Sequence, residues 1–313
     1  MNYRNILPLV SHTQAFSTDY WDDFGYWNDG TFWYEKTPTY TARVTAYATA
    51  TGITDYTILD ALNIFDLGLT YYGLDTIMKA VYPMMTDKTS QSDMANQMKY
   101  NFMNPLDTNP AFRLNWVGGW VYSRTGALPN GTNAYADTFL TPSTTLTLYN
   151  NHLSFYSRTN TTVGGGTDIG TQWQQTSPQL AYTFYQFNGR NSDGNAVGSI
   201  SSADANRVIY TQTNPASFVV TSRTANNSLK SYTNGVLKST NTTVNTSIYN
   251  GLPQNKVFIS ALNLNDGFTN SIVNYSNKQC AFASIGNGLT DFQADIFSTL
   301  VNNLQKALNR DVY

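Results

Sequence analysis

The sequence predicts a mainly β protein: an antiparallel β-sandwich of jelly-roll type, preceded by a helical N-terminal portion and closed by a C-terminal helix. Three observations lead there. After Pro110, short runs rich in Val, Tyr, Thr and Phe are broken by Asn130-Gly131, Asn188-Gly189, Asp193-Gly194, Asn234-Gly235, Asn250-Gly251 and Asp266-Gly267. Such dipeptides reach positive φ at little cost, and strands punctuated this often form sandwiches. Between Val44 and about Met98 the apolar residues recur instead every three to four positions, the period of a helix with one buried face. The final stretch, after Gly288, combines a helix-start signal with another such stripe.

Residues 1–42 have few aliphatic side chains after Val10 but many aromatics, and Asp29-Gly30 reads as a hairpin turn. Trp21, Trp27 and Trp33 are spaced by six, which in an extended chain places them on one face. Two readings stay open. The segment packs on its own sandwich, or it is an attachment arm whose Trp21, Trp27, Trp33 and Tyr34 dock on a partner subunit, because Trp and Tyr supply large contact area at low entropic cost.

In the helical segment, 43–108, Thr54 is the expected N-cap for a helix through Ile58, Leu59, Leu62 and Phe65 to Gly68. Leu74, Ile77, Met78 and Val81 form a second helical stripe ending before Pro83, and a third short helix spans Ser92 to Phe102. Met84, Met85, Met94, Met98 and Met103 read as filler between helices. The block packs either on its own sandwich or on a symmetry mate.

The sandwich occupies 109–313. Its clearest strands are Leu180–Gly189 and Ser228–Ser239, the latter a hairpin about Asn234-Gly235. The Gly164-Gly165-Gly166 run lies in a loop; a phosphate cradle would need a preceding strand, a following helix and usually a lysine. From Val257 the chain reads strand, turn, strand, turn, helix. Thr290-Asp291-Phe292-Gln293 has the form of a capping box. Phe292, Ile296, Phe297, Leu300, Val301, Leu304 and Leu308 supply the buried stripe of a helix over 291–309.

Composition narrows the function classes. Charged residues are only 12% of the 313, against about 25% in an average domain, while Thr (42) and Asn (35) make up a quarter of the chain. The polarity is therefore neutral and hydrogen-bonding. A net charge of −2 without a Lys/Arg cluster gives no footprint for nucleic acid. No apolar run approaches the roughly 20 residues of a membrane span, and no secretion signal is evident at the start. The single Cys280 permits no internal disulfide and reads as a small core residue.

The segments CAFASIGNGLTDFQADIF, LQKALNRDVY and SYTNGVLKS carry a family resemblance, supported by YTILDALNIFDLGLTYYGLDTIMKAVYPM, GALPNGTNAYADTFLTPS and NNHLSFYSRT. In this order they resemble a group of phage and prophage tail-associated proteins whose C-terminal part is a concanavalin A-like, laminin-G-like β-sandwich. The resemblance covers roughly residues 45–313. It implies a structural protein of the phage particle surface, as fibre, tail tip or head decoration, with other phage structural proteins as partners. It further implies a homo-oligomer, although no heptad run specifies one.

Catalytic chemistry finds little support in the residues. Laminarinase-type concanavalin A-like glycanases carry E-x-D-x-x-E, and glycoside hydrolysis needs two carboxylates; this chain has one glutamate, Glu35, in the segment the resemblance does not cover. His12 and His152 are the only histidines and no G-x-S-x-G elbow occurs, so neither a hydrolase triad nor a Cys/His zinc site is expected. His152 reads as a hydrogen-bonded surface or edge residue. The expectation is a non-enzymatic chain with no resident cofactor. The resemblance leaves room for one metal, calcium at a loop rim, and for a host-surface glycan. Asn263, Asn265 and Asp266 are the candidate rim for either.

Overall fold

The computed structural model describes residues 39–160, 166–175, 181–188, 194–202, 206–243 and 251–313. Trp21, Trp27, Trp33 and Tyr34, with His12 and Glu35, lie outside the described residues. The described chain opens with helices α1 (Ala42–Thr51) and α2 (Tyr56–Tyr71), strand β1 (Met78–Tyr82) and helix α3 (Gln91–Met98). Strands β2 (Asn115–Val117), β3 (Trp120–Ser123), β4 (Gly126–Pro129), β5 (Tyr135–Asp137) and β6 (Asn151–Ser157) follow. Next come β7 (Ile169–Gln175), β8 (Ala181–Asn188), β9 (Asn195–Ser202), β10 (Val208–Thr211), β11 (Ser217–Ala225), β12 (Ser228–Thr233) and β13 (Val236–Asn241). The chain ends with β14 (Phe258–Ile259), β15 (Leu262–Asn265), β16 (Asn270–Val273), β17 (Cys280–Gly286) and helix α4 (Asp291–Ala307).

These strands form two sheets. The first has the order β13-β12-β11-β6-β17-β4-β3, with β1 also on β17; the second runs β10-β9-β8-β7-β14-β5-β2, with β15 beside β7 and β16 beyond it. Among the described strands every pairing is antiparallel except β15 with β7. The Asn234-Gly235 hairpin forms as its sequence requires: φ is 52° and 79° at the two residues, the left-handed pair of a tight β-turn.

Alternation along the strands creates two cores. On β11, Phe218 and Val220 face the helices while Val219 faces the second sheet. β17 contributes Cys280, Ala283 and Ile285 to the inter-sheet core and Ala281 with Phe282 to the helix side. Two consecutive residues share a side because a bulge between Cys280 and Phe282 shifts the register against β6. The result is three layers, helices over the first sheet over the second. Phe282 centres the upper core, with ring centroids 5.8 Å from Phe65, 5.9 Å from Phe218 and 5.9 Å from Phe297.

The predicted antiparallel sandwich with helical N-terminal part and closing helix is the observed fold, but several elements differ. Leu74, Ile77, Met78 and Val81 do not continue into a second helix. The chain turns at Gly73 (φ 66°) and Met78–Tyr82 pairs with β17 instead. As a strand it sends Met78 and Val81 into one core and Ala80 and Tyr82 into the other, which a helix lying on the sheet cannot do. Asp55 rather than Thr54 caps α2, accepting from Thr57 N at 2.9 Å, while Thr54 N donates to Asp87 Oδ2 at 2.7 Å. The third helix is shorter than expected and is capped by Ser90.

Helix α4 carries both halves of the Thr290/Gln293 capping box and buries Phe297, Leu300, Val301 and Leu304. Phe292, expected in that stripe, is 55% exposed. α4 crosses α2 at Gly68, where an added Cβ would overlap Leu300 Cδ2. His152 is also misplaced by the sequence reading: it is fully buried on β6. Its Nδ1 donates to Asn287 O at 2.5 Å, which leaves Nε2 to accept from Ser284 Oγ at 3.0 Å, with Ser154 Oγ 2.6 Å further on. Burial lowers the imidazole pKa from its ordinary value to about 4, and the Asn287 carbonyl offsets this in part. Cys280 is buried as expected, and burial pushes its thiol well up.

Two outcomes follow from this packing. Gly68→Ala gains about 1 kcal/mol of helix propensity but must displace Leu300 at a cost of about 1–3 kcal/mol, so a net loss of up to about 2 kcal/mol is expected. Adding Leu300→Ala should make the double variant less destabilised than the sum of the singles; urea unfolding that shows additive losses would refute the tight crossing. His152 stays neutral when folded while the unfolded imidazole takes a proton near pH 6.5. Stability is therefore complete above that pH and falls as pH drops towards 4, by about 2 kcal/mol at pH 5. His152→Gln should flatten the profile between pH 7.5 and 5; an unchanged slope would point to another group.

Candidate functional site

The outer face of the second sheet, where β5 pairs with both β2 and β14, gathers aromatic, charged and amide side chains. Ala136 and Ile259 point into the inter-sheet core, so period-two alternation turns Tyr135, Asp137 and Phe258 away from it, where Tyr135 is half-buried while Asp137 and Phe258 are buried beneath their neighbours. Register aligns Asn115, Asp137, Phe258 and Gly170 across the strands. The Tyr135 ring stacks on Phe258 with centroids 4.6 Å apart, and burial raises the Tyr135 hydroxyl above its ordinary pKa, keeping it a neutral donor.

Asp137 organises the surroundings. Its Oδ1 accepts from Phe139 N at 2.7 Å and its Oδ2 accepts from Lys256 Nζ at 2.9 Å. The first bond holds Phe139 at φ 55°, a left-handed conformation unfavourable for a residue with a Cβ. Lys256 Nζ lies 4.4 Å from the Phe139 ring centroid and the Arg113 guanidinium 5.4 Å from it, within cation–π range.

An amide network continues from Lys256. Asn263 Nδ2 donates to Lys256 O at 2.9 Å, and Asn255 Nδ2 donates to Asn263 O at 2.7 Å and to Gln172 O at 3.0 Å. Asn255 Oδ1 is buried and accepts no hydrogen bond. An acceptor closed off in this way is ordinarily met by an internal water. Aromatic faces beside fixed amide, ammonium and carboxylate groups can bind a polyhydroxylated ring, with C–H on the ring face and hydroxyls on the polar groups.

The rim residues expected from sequence divide. Asn263 belongs to this network. Asn265 and Asp266 instead close the β15–β16 hairpin: Asn265 Nδ2 donates to Asn270 Oδ1 at 2.7 Å, and Asp266 Oδ1 accepts from Thr269 N at 2.7 Å and Phe268 N at 2.9 Å. Those backbone bonds, Thr269 first, hold the Asp266 carboxyl below its ordinary pKa. Among the described residues, no three His, Cys, Asp or Glu side chains gather as a metal site. No described helix is long and apolar enough to cross a membrane. Arg113, Asp137, Phe139, Asn255 and Lys256 were not singled out as site residues by the sequence. Asp137 and Lys256 are far apart in the chain, and the one local signal is the Asp two residues before Phe139, the spacing of an Asx turn.

No protein family matches the sequence, and no curated protein matches it. Among solved structures, the chain is similar to domain 4 of AbnA, a GH43 extracellular arabinanase from Geobacillus stearothermophilus, at 12% identity and TM-score 0.39, over 71% of this chain and 98% of that one. It is similar to the receptor binding domain of botulinum neurotoxin C/D mosaic serotype at 10% identity and TM-score 0.44, over 72% and 51%. Similarity to a Trypanosoma rangeli sialidase is 12% with TM-score 0.41, over 61% and 30%. The chain thus spans about half of the toxin domain and under a third of the sialidase. These distant likenesses carry no activity, ligand or partner to this chain.

Strain at Phe139 can be measured. Phe139→Gly and Phe139→Ala both lose the ring, but only glycine relaxes at φ 55°, so the glycine variant should be the more stable by about 1 kcal/mol. Equal unfolding midpoints would mean that the left-handed backbone costs nothing here.

Proposed function

We propose that this chain is a non-enzymatic structural subunit of a tailed-phage particle, a fibre, tail-tip or head-surface component, whose lectin-like sandwich binds carbohydrate during host adsorption. The observation that carries the binding role is the group on the second sheet: the part-exposed Tyr135 and Phe139 rings, with Asp137, Lys256 and Asn255 fixed around them. The sequence resemblance supports the particle role.

A second surface supports assembly. Tyr56, Ile64, Leu67 and Tyr71 fall on one face of α2 and are 46–75% exposed, and Tyr72 joins Tyr71 to the exposed Phe292 of α4. Contiguous exposed apolar side chains of this kind mark interaction surfaces. In this reading the helical layer faces other particle proteins, and Trp21, Trp27, Trp33 and Tyr34 of the aromatic 1–42 segment supply docking side chains of their own. The sandwich faces outward to the host glycan.

Two assays test the reading. Immunogold microscopy with an antibody against residues 110–313 should label the surface of purified particles. Titration of the protein with host-surface polysaccharide fragments should saturate, and Lys256→Ala should weaken binding about tenfold, the loss of one hydrogen bond to a charged group. Unlabelled particles would remove the particle role, and non-saturating titrations would remove the glycan role.

A further inference from the structure

Arg310, just beyond α4, is almost wholly buried. Its Nη1 donates to Met84 O at 2.9 Å and Arg124 O at 3.4 Å, and its Nη2 donates to Pro83 O at 2.6 Å and Ala281 O at 3.1 Å. Its Nε has no acceptor. Among the described residues no carboxylate pairs with it, and Arg158, whose Nε donates to Arg310 O at 2.8 Å, brings a second positive charge close. Burial lowers the guanidinium pKa to about 10, with Arg158 adding to the effect, so Arg310 is a cation at neutral pH. Carbonyl oxygens solvate such a charge but do not neutralise it, and an uncompensated buried charge is costly.

Residues 307–310 form one wall of a cleft of about 190 Å³, with Asp55, Thr57, Thr86, Met85 and Arg124 around the rest, and the Arg310 guanidinium is buried behind that wall. Arg124 is 64% exposed and 3.8 Å from Asp55. At and directly behind the cleft wall stand two guanidiniums, exposed Arg124 and buried Arg310, against the one carboxylate of Asp55 among the lining residues. We propose that this cleft binds a small oxyanion, a carboxylate or phosphate group, which contacts Arg124 and balances the charge of Arg310. This site is separate from the Asp137–Lys256 face and does not depend on the glycan reading. Its size, below the range of sites that enclose a drug-sized ligand, restricts the occupant to a terminal anionic group. Guanidinium is the side chain suited to such groups because its paired N–H donors match two oxygens.

The test uses the full chain, because Arg310 holds four carbonyls and its replacement would confound folding with binding. Calorimetric titrations with sodium phosphate and with sodium glucuronate, at constant ionic strength, should saturate for at least one of the two; the one that saturates identifies the group. Arg124→Gln should weaken that affinity about tenfold. Asp55→Asn, which keeps an N-cap for α2 and removes the competing carboxylate, should tighten it. A purely structural Arg124–Asp55 contact would not produce opposite signs in the two variants. No saturation by either anion, or equal affinities in wild type and Arg124→Gln, would overturn the proposal.

Discussion

Every residue of Cys280–Gly286 is buried, and this strand, at the middle of the first sheet, lends side chains to both cores as β1, β6 and β11 do. It pairs with β6 along one edge and shares the other between β4, at Cys280, and β1, from Ala283 to Gly286. Its helix-side residues seat α2 and α4, while Cys280, Ala283 and Ile285 seat the second sheet. The small residues matter as much as the large ones. A Cβ at Gly286 would come within 2.8 Å of His152 Cε1 and 2.5 Å of Ile77 O, so the close approach of β1, β6 and β17 requires glycine there.

What the sequence made legible was local. The α4 start could be read because both capping partners lie within four residues, and the Asn234-Gly235 turn because its backbone demand belongs to the dipeptide itself. The β1 strand was not legible: Leu74, Ile77, Met78 and Val81 fit a helical period, and only pairing with Ala283–Gly286, some two hundred residues on, selects the extended form. Phe292 fails for a related reason. The α2–α4 crossing lies at Gly68 and Leu300, so the first turn of α4 reaches past the crossing to the end of α2, where Phe292 meets Tyr72.

The candidate face shows the same limit. Asp137 and Lys256 are brought together by the β5–β14 pairing of Phe258 with Asp137, and no local pattern announces it. His152 was misjudged because its neighbours Asn151 and Ser154 look like a solvated strand start. In fact Ser154, Ser284 and His152 satisfy one another beneath α4. In a chain this poor in charge, buried polarity is carried by hydroxyls and amides, together with a few enclosed ions such as Lys278, which pairs with Asp168 at 2.9 Å.

The separation of β1 from β17 in the chain has a kinetic consequence. Loop-closure entropy must be met before distant pairings stabilise anything, so folds dominated by them form slowly. Until Cys280–Gly286 emerges from the ribosome, β6 lacks its central neighbour and the apolar undersides of α1 and α2 have no completed sheet to cover. The nascent chain therefore holds unpaired strand edges through most of its synthesis, the condition under which β proteins associate with one another. Productive folding of this chain depends on how long that interval lasts and on what shields it.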